Sequence, residues 1–201
     1  MKILGIQGSP VQRGTHFLLE GALEGVRSQG ADSALLDLTD YTIEHCRGCD
    51  SCLREKQCVI EDDLTRAASS MESADGLILA APSYFASIPA NFKAFLDRTR
   101  YLKMDGHRLA DKPFAALASS GLKQGGGEHV IEFLHRFALL HGMVVIGGKN
   151  NPVTEPGWVV GTRKKDDGNF RKITDDEEAR KLAEKLGERL TAFAKKLSRG
   201  D

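Results

Sequence analysis

Two patterns of apolar residues alternate along the 201 residues of the chain. Short β-type runs, several of them continuously apolar as in strands buried on both faces of a parallel sheet, predict strands at 2–7, 33–38, 76–81, 113–118 and 143–146. Longer segments with apolar residues at helical spacing predict helices at 15–28, 62–73, 90–102, 128–141 and 174–198. The last helix opens with Thr174 and has Glu177 three residues on, which is the spacing of a capping box.

Strand and helix alternate throughout, which predicts an α/β protein whose parallel sheet is covered by helices on both faces. Five strands favour the doubly wound order 2-1-3-4-5 of flavodoxin-like folds over a six-stranded dinucleotide-binding sheet. The length fits one domain, so we expect a single flavodoxin-like domain over 1–201. Its C-terminal part, about 147–199, contains the final helix and a polar stretch at 147–174 without periodicity. We expect that stretch to be a functional loop or an arm ordered by a partner.

Composition and charge narrow the classes of partner. Lysine plus arginine and aspartate plus glutamate each number 28, so the formal net charge is zero. A zero net charge excludes a strongly basic nucleic-acid binder. The N-terminal segment MKILGIQGSP lacks the apolar region of a signal peptide, and no stretch approaches the roughly 18 apolar residues of a membrane span. We therefore expect a cytoplasmic protein without a membrane or nucleic-acid partner.

The four cysteines of the chain are Cys46, Cys49, Cys52 and Cys58, and they fall within thirteen residues of the loop after strand 2. Disulfides between such close neighbours would close very small loops, which gain little stability and strain easily. A tight cluster in an otherwise cysteine-free chain is typical of a metal or cluster site in a reducing compartment. Because the loop follows a strand of the predicted sheet, we expect it at the ligand-binding edge.

The spacing of the cysteines favours one [4Fe–4S] cluster. Three cysteines at two-residue intervals let a short loop wrap a single cubane, and a fourth a few residues on completes the ligands. Val59, not a proline, follows the last cysteine, and the chain has no second set, unlike the two-cluster ferredoxins. Two alternatives stay open: a zinc site, which more usually takes two separated C-x2-C pairs, and free thiols.

Three other loops follow core strands, at the edge of the sheet where doubly wound folds bind ligands. The loop at 8–15 offers hydroxyls, an arginine and the N-terminus of a helix, which favour a phosphate. It matches neither the dinucleotide-binding nor the Walker A motif, and a plain turn is the alternative. Tyr84 and Phe85 follow strand 3 and can pack beside a flat ring, unless they are tucked onto the core.

The third loop, at 119–127, is rich in glycine, which allows its backbone to approach a planar ligand. An ordinary flexible surface loop is the alternative for this segment. Each of the three loops is a weak signal alone, but all three meet at one edge of the predicted sheet. Together they indicate a flat cofactor that carries a phosphate, and FMN fits best.

With these residues in view, the chain resembles the iron-sulfur flavoproteins, a branch of the NAD(P)H-dependent FMN reductase group. The resemblance rests on the cysteine run continuing as CVIEDDL and on the segments GSPVQRGT and APSYF. It implies FMN on a flavodoxin-like domain and a [4Fe–4S] cluster in the loop at about 41–60. It also implies a homodimer or homotetramer in which a cluster lies close to the flavin of a neighbouring subunit, and a ferredoxin-like electron donor.

The resemblance assigns site residues position by position. The cofactor contacts that it implies are Ser9, Pro10, Arg13, Gly14, Thr15, Pro82, Ser83, Tyr84, Phe85, Ser120 and Gly121. The implied cluster ligands are Cys46, Cys49, Cys52 and Cys58. No residue is predicted as catalytic, since a protein acid or base is not obligatory for electron transfer between a cluster and FMN.

Three functions can therefore be distinguished. The first is a redox flavoprotein that carries electrons between a [4Fe–4S] cluster and FMN, with a small redox protein such as ferredoxin or NAD(P)H as donor. The second is an NAD(P)H-dependent FMN, quinone or nitro-compound reductase, whose cysteines are structural, zinc-binding or redox-active. The third, outside the redox class, is a zinc-stabilised interaction module that binds no flavin.

Overall fold

Six strands form one parallel sheet within residues 1–165 and 167–198, the part of the chain that the computed structural model describes. The strands are β1 (Lys2–Gln7), β2 (Asp32–Asp37), β3 (Gly76–Pro82), β4 (Pro113–Ser120), β5 (Val144–Val145) and β6 (Val159–Thr162). The helices are α1 (Gly14–Ser28), α2 (Ser51–Arg54), α3 (Leu64–Glu72), α4 (Ala90–Arg98), α5 (Arg100–Met104), α6 (Gly127–Leu140) and α7 (Glu177–Leu197). Across the described ranges, no helix combines the length and apolarity needed to cross a membrane.

The strand order β2-β1-β3-β4-β5 confirms the predicted doubly wound topology. A sixth strand, β6, also pairs with β4 and lies in the stretch at 147–174, for which we predicted a loop. β5 pairs with the first two residues of β4, whereas β6 pairs with its last four. Two short strands in series thus occupy the fifth position of the sheet; β5 lies within the strand predicted at 143–146, whereas β6 is too short to give a clear periodic signal.

Two predicted helices have different boundaries in the structure. The helix predicted at 90–102 is divided into α4 and α5 at Thr99, whose side-chain hydroxyl donates to the Leu96 carbonyl at 2.7 Å. The last helix begins three residues later than predicted. Its N-cap is Asp176, whose carboxylate accepts a hydrogen bond from the Ala179 amide at 3.2 Å. The capping box predicted at Thr174 therefore does not form, and a 3-10 turn occupies Ile173–Asp175 instead.

Apolar cores fill both faces of the sheet. On one face α1 and α7 pack against β1, β3, β4 and β6, and on the other α3, α4 and α6 cover a core that includes Phe92, Phe95 and Phe114. The backbones of α1 and α7 approach closely at two glycines. A Cβ added to Gly187 would lie 1.9 Å from the Ala22 carbonyl oxygen, so α7 is held tightly on the sheet.

A buried histidine lies where α6 ends against α5. His141 is 4% exposed, and its Nε2 is 3.2 Å from the Thr99 hydroxyl oxygen. The Thr99 hydroxyl already donates to a carbonyl, so we infer that Nε2–H of a neutral imidazole donates to it. Burial, together with the smaller effects of the Lys103 and His107 charges, lowers the pKa of His141 from 6.5 to about 4.

We expect this histidine to make the protein less stable in mild acid. In the unfolded chain the imidazole takes up a proton near pH 6.5, whereas in the folded chain it does so only near pH 4. The unfolded state therefore binds more protons in this window, and stability falls as the pH drops through it, by on the order of 3 kcal/mol in total. Urea unfolding at pH 7.5, 6 and 5 measures the loss. The dependence of the unfolding free energy on pH should become weaker in His141→Phe. It should persist in His129→Gln, a control at an exposed position of α6.

Candidate functional site

The three loops predicted at the ligand edge are joined by hydrogen bonds. The hydroxyls of Thr15 and Ser119 lie 2.7 Å apart and connect the loop after β1 to the end of β4. The Ser83 hydroxyl donates to the Gly125 carbonyl at 2.5 Å, and its amide donates to the Ser119 carbonyl at 2.7 Å. The carboxyl ends of β1, β3 and β4 thus form one continuous surface from the loops 8–15, 82–88 and 119–127.

The loop at 8–15 leads directly into a 15-residue helix, α1, without a side-chain cap. Its buried Ser9 hydroxyl donates to the Val11 carbonyl at 2.7 Å and shapes the turn, while Pro10 is exposed. The first turn of the helix leaves backbone N–H groups of Gly14 and its neighbours available to an anion. Arg13 is exposed just before this turn, and its guanidinium has no ion-pair or hydrogen-bond partner among the described residues.

A buried polar network that the sequence analysis did not identify holds this loop. Asp37, 3% exposed at the end of β2, accepts hydrogen bonds from the side-chain amides of Gln7 at 2.8 Å and Gln12 at 2.7 Å. Nδ1 of His16 lies 2.9 Å from the Gln7 amide oxygen. The network connects β1, β2 and α1 around the loop. The only sequence signal for it was a pair of polar residues ending two adjacent strands.

The second loop exposes its aromatic residues. Tyr84 is 48% exposed and Phe85 is completely exposed, so neither is tucked onto the core. Phe85 and Ala86 both have left-handed backbone conformations, with φ of 50° and 60°, which are uncommon for such residues and cluster at functional sites. The loop begins at Pro82, the half-buried last residue of β3. The loop thereby presents an exposed aromatic pair at the carboxyl end of β3.

The third loop follows β4 and packs against the second. Gly126 has a φ of +83°, and a Cβ added to it would lie 2.4 Å from the Ala86 Cα, so the two backbones are in close contact. Ser120 is buried and its hydroxyl donates to the Leu122 carbonyl at 2.7 Å, while Gly121 is exposed with open space around it. The structure therefore brings together the three loops that contain the eleven predicted cofactor contacts.

The cysteine loop forms a second, separate concavity. Cys46 and Cys49 are exposed, while Cys52 and Cys58 are half-buried. All four line one small pocket, whose wall also contains the cationic residues Arg47, Arg98 and Arg100. Within 1–165 and 167–198, no group of three or more cysteine, histidine or acidic side chains is arranged so that it could hold a metal ion. The thiols thus share a pocket without forming a coordination shell.

The cysteine pocket lies at the opposite end of α4 from the loop 82–88. Its wall includes Asp97 and Arg98, at the C-terminal end of α4. α4 begins at Ala90, just after the loop 82–88, and runs back along the sheet for nine residues, a separation of about 12 Å at 1.5 Å per residue. The loop reaches this position because its backbone binds the start of α3: the Thr42 and Glu44 amides donate to the two carboxylates at 62–63.

Charged hydrogen bonds dominate the electrostatics of the pocket. Burial by itself would lower the pKa of the Arg98 guanidinium, but hydrogen bonds to Asp62 and Cys58 raise it above the usual arginine value. Arg100, which is more exposed, donates to the Asp50 carboxylate at 2.7 Å. Hydrogen bonds from Ser51 lower the pKa of the exposed Cys49 thiol. Both effects favour charged forms, a guanidinium and a thiolate, on the same wall.

Comparison with known proteins places the chain in a family. Residues 1–154 match the family described as NADPH-dependent FMN reductase. An iron-sulfur flavoprotein of Archaeoglobus fulgidus is 36% identical over 194 residues, covering 96% of each chain. An iron-sulfur flavoprotein of Methanocaldococcus jannaschii is 36% identical over 194 residues, covering 94% of this chain and 96% of its own. A quinone-type NAD(P)H dehydrogenase of Trichlorobacter lovleyi is 30% identical over 139 residues, covering 66% of this chain and 64% of its own.

Solved structures confirm the fold. A flavodoxin, WrbA-like protein of Agrobacterium tumefaciens superposes with a TM-score of 0.65 at 15% identity, covering 97% of this chain and 98% of the other. An NAD(P)H:quinone oxidoreductase of Methanothermobacter marburgensis gives 0.65 at 16% identity, covering 96% of both chains. The family match and the fold together define a flavin-dependent oxidoreductase of flavodoxin-like fold. More particularly, the chain belongs to the iron-sulfur flavoprotein family within the NADPH-dependent FMN reductases.

Proposed function

We propose that this protein binds FMN on the three-loop surface and a [4Fe–4S] cluster in the cysteine pocket, and passes electrons between a one-electron donor and an acceptor. The observation that carries the proposal is that all four cysteines line one pocket of an FMN reductase fold. An all-sulfur donor set beside three arginines suits a cluster with negatively charged thiolate ligands. When bound, FMN supplies one- and two-electron redox chemistry, and the cluster supplies one-electron chemistry.

The roles of the chain's own residues follow from their positions. The backbone N–H groups that open α1 and the Arg13 guanidinium would bind the FMN phosphate. Tyr84, Phe85 and the backbone around Gly121 would border the flat ring. The four cysteines would ligate the cluster. No side chain is assigned as a general acid or base, because electron transfer does not require one.

The placement of the two sites fits an oligomeric arrangement. Within one subunit, the cysteine pocket and the loop 82–88 lie at opposite ends of α4, whose nine residues are about 12 Å long. We therefore propose a homodimer or homotetramer in which the cluster of one subunit lies near the flavin of another. The donor is NAD(P)H, as the family description indicates, or a small redox protein such as ferredoxin, in a reducing compartment such as the cytoplasm.

Anaerobic purification followed by flavin, iron, sulfide and zinc analysis tests the proposal. We expect a brown protein that contains FMN, iron and acid-labile sulfide. Flavin together with stoichiometric zinc and no sulfide would overturn the cluster. A protein that contains zinc but neither flavin nor sulfide would overturn both cofactor assignments and favour a zinc-stabilised interaction module.

A second function is supported by the family and by the quinone-type dehydrogenase relative. It is an NAD(P)H-dependent FMN, quinone or nitro-compound reductase in which the cysteines are incidental to turnover. Stopped-flow reduction of the bound flavin by NADPH separates the two functions. Fast reduction that is unaffected by replacing the cysteines would favour the plain reductase, while no reduction by either nicotinamide would exclude it.

We expect Arg13→Gln to weaken FMN binding about tenfold, because a charged hydrogen bond to a phosphate is typically worth about 1.5–3 kcal/mol. Riboflavin lacks the phosphate, so its affinity should not change. Fluorescence titration of the apoprotein with both flavins measures the difference. Arg27→Gln, at the opposite end of α1, is the matched control. Equal losses for FMN and riboflavin would contradict a phosphate contact.

A further inference from the structure

Arg98 is the buried cation of the cysteine pocket. Its side chain is 1% exposed and forms an ion pair with Asp62, whose side chain is 8% exposed. It also donates to the Cys58 sulfur at 3.4 Å, the Ile60 carbonyl at 3.0 Å and the Glu44 carbonyl at 3.1 Å. Its acceptors therefore include residues before and after the four cysteines in sequence. One guanidinium thus hydrogen-bonds to both ends of the cysteine loop and holds them together.

One donor of this guanidinium is still available. Arginine has five N–H donors, and Nε of Arg98 is buried without a hydrogen-bond partner among the described residues. A buried, unpaired donor costs free energy, so an acceptor in the pocket would improve the site. Arg98 is part of the wall that the four cysteines share, where sulfur atoms are the acceptors that a cluster would bring.

We propose that Arg98 positions Cys58 for the cluster and raises the reduction potential of that cluster. The inference rests on the proposed function. Thiolate ligands make a [4Fe–4S] site negatively charged, and reduction adds a further electron, so a buried cation that hydrogen-bonds to sulfur stabilises the reduced form. Arg100 lines the same pocket but is 43% exposed and paired with Asp50, so water screens its charge.

An EPR-monitored redox titration of the anaerobic holoprotein tests the role of Arg98. Arg98→Gln alone would leave the Asp62 carboxylate buried and unpaired, which is strongly destabilising. The informative variant is therefore Arg98→Gln/Asp62→Asn, compared with Asp62→Asn. We expect the equilibrium constant for reduction of the cluster to be about tenfold smaller in the double variant. This is a shift of about 59 mV to more negative potential for one electron. The FMN potential serves as the control and should not change.

Each outcome decides the question. Equal cluster potentials in the double variant and Asp62→Asn, with full iron and sulfide in both, would overturn the role of Arg98. If the double variant does not fold, Asp62→Asn against the unmodified protein gives the answer, since loss of the carboxylate charge should shift the potential to more positive values; no shift would overturn the inference. An unmodified protein without iron and sulfide would instead overturn the proposed function, and this inference with it.

Discussion

Replacing Cys58 by alanine is expected to abolish the proposed iron–sulfur cluster while the protein keeps its FMN. A [4Fe–4S] cluster needs a ligand at each iron corner, and the chain has no fifth cysteine to substitute for the one removed. Cys58 is half-buried and packs against the core, so alanine fills its position with little loss of packing. FMN should remain because its loops lie at the opposite end of α4.

Iron, sulfide and flavin contents of anaerobically purified protein measure this effect. Gln57→Ala, an exposed neighbour in the same loop, is the matched control and should contain all three. Full iron and sulfide in Cys58→Ala would show that this cysteine is not a ligand. Loss of zinc rather than iron would identify a zinc site, and loss of flavin as well would show that the two pockets depend on each other.

Replacing Gly126 by alanine is expected to weaken FMN binding at least tenfold. The new Cβ would lie 2.4 Å from the Ala86 Cα and 2.9 Å from the Ser83 hydroxyl oxygen. The backbone of the second loop must therefore move away from the third, and the surface between them opens. The positive φ of 83° adds strain of about 1–2 kcal/mol. A change of about 1.4 kcal/mol in binding is already tenfold in Kd.

Gly106→Ala separates the effect of backbone strain at a positive φ from the effect of the contact between the two loops. Gly106 also has a positive φ, of 75°, but a Cβ there would meet nothing within 4 Å. This variant should be somewhat less stable to heat and should bind FMN normally. Calorimetric titration of apoprotein with FMN, together with thermal unfolding, compares the pair. Unchanged FMN affinity in Gly126→Ala would show that the contact between the loops 82–88 and 119–127 is not part of the binding site.

The residues proposed to contact FMN were predictable to different degrees. The loops at 8–15, 81–87 and 119–127 were predicted from sequence because a ligand edge follows from strand order alone. The contributions of Asp37 and Gln7 were not found, since their hydrogen bond joins residues 30 positions apart. β6 was also missed. Only two of its four residues are buried, and its pairing with β4 provides the stabilisation that its own sequence does not signal.

The sequence by itself determined the order of the elements, because apolar periodicity is a local property that selects strand or helix before any packing occurs. It also determined the donor chemistry of the cysteine loop, through four thiols at short spacing. Only the tertiary structure decided where that loop lies and which cation meets it. Arg98 is 40 residues from Cys58 and 54 from Glu44 along the chain. These contacts form only when α4 packs on the sheet and its last turn is buried against the loop.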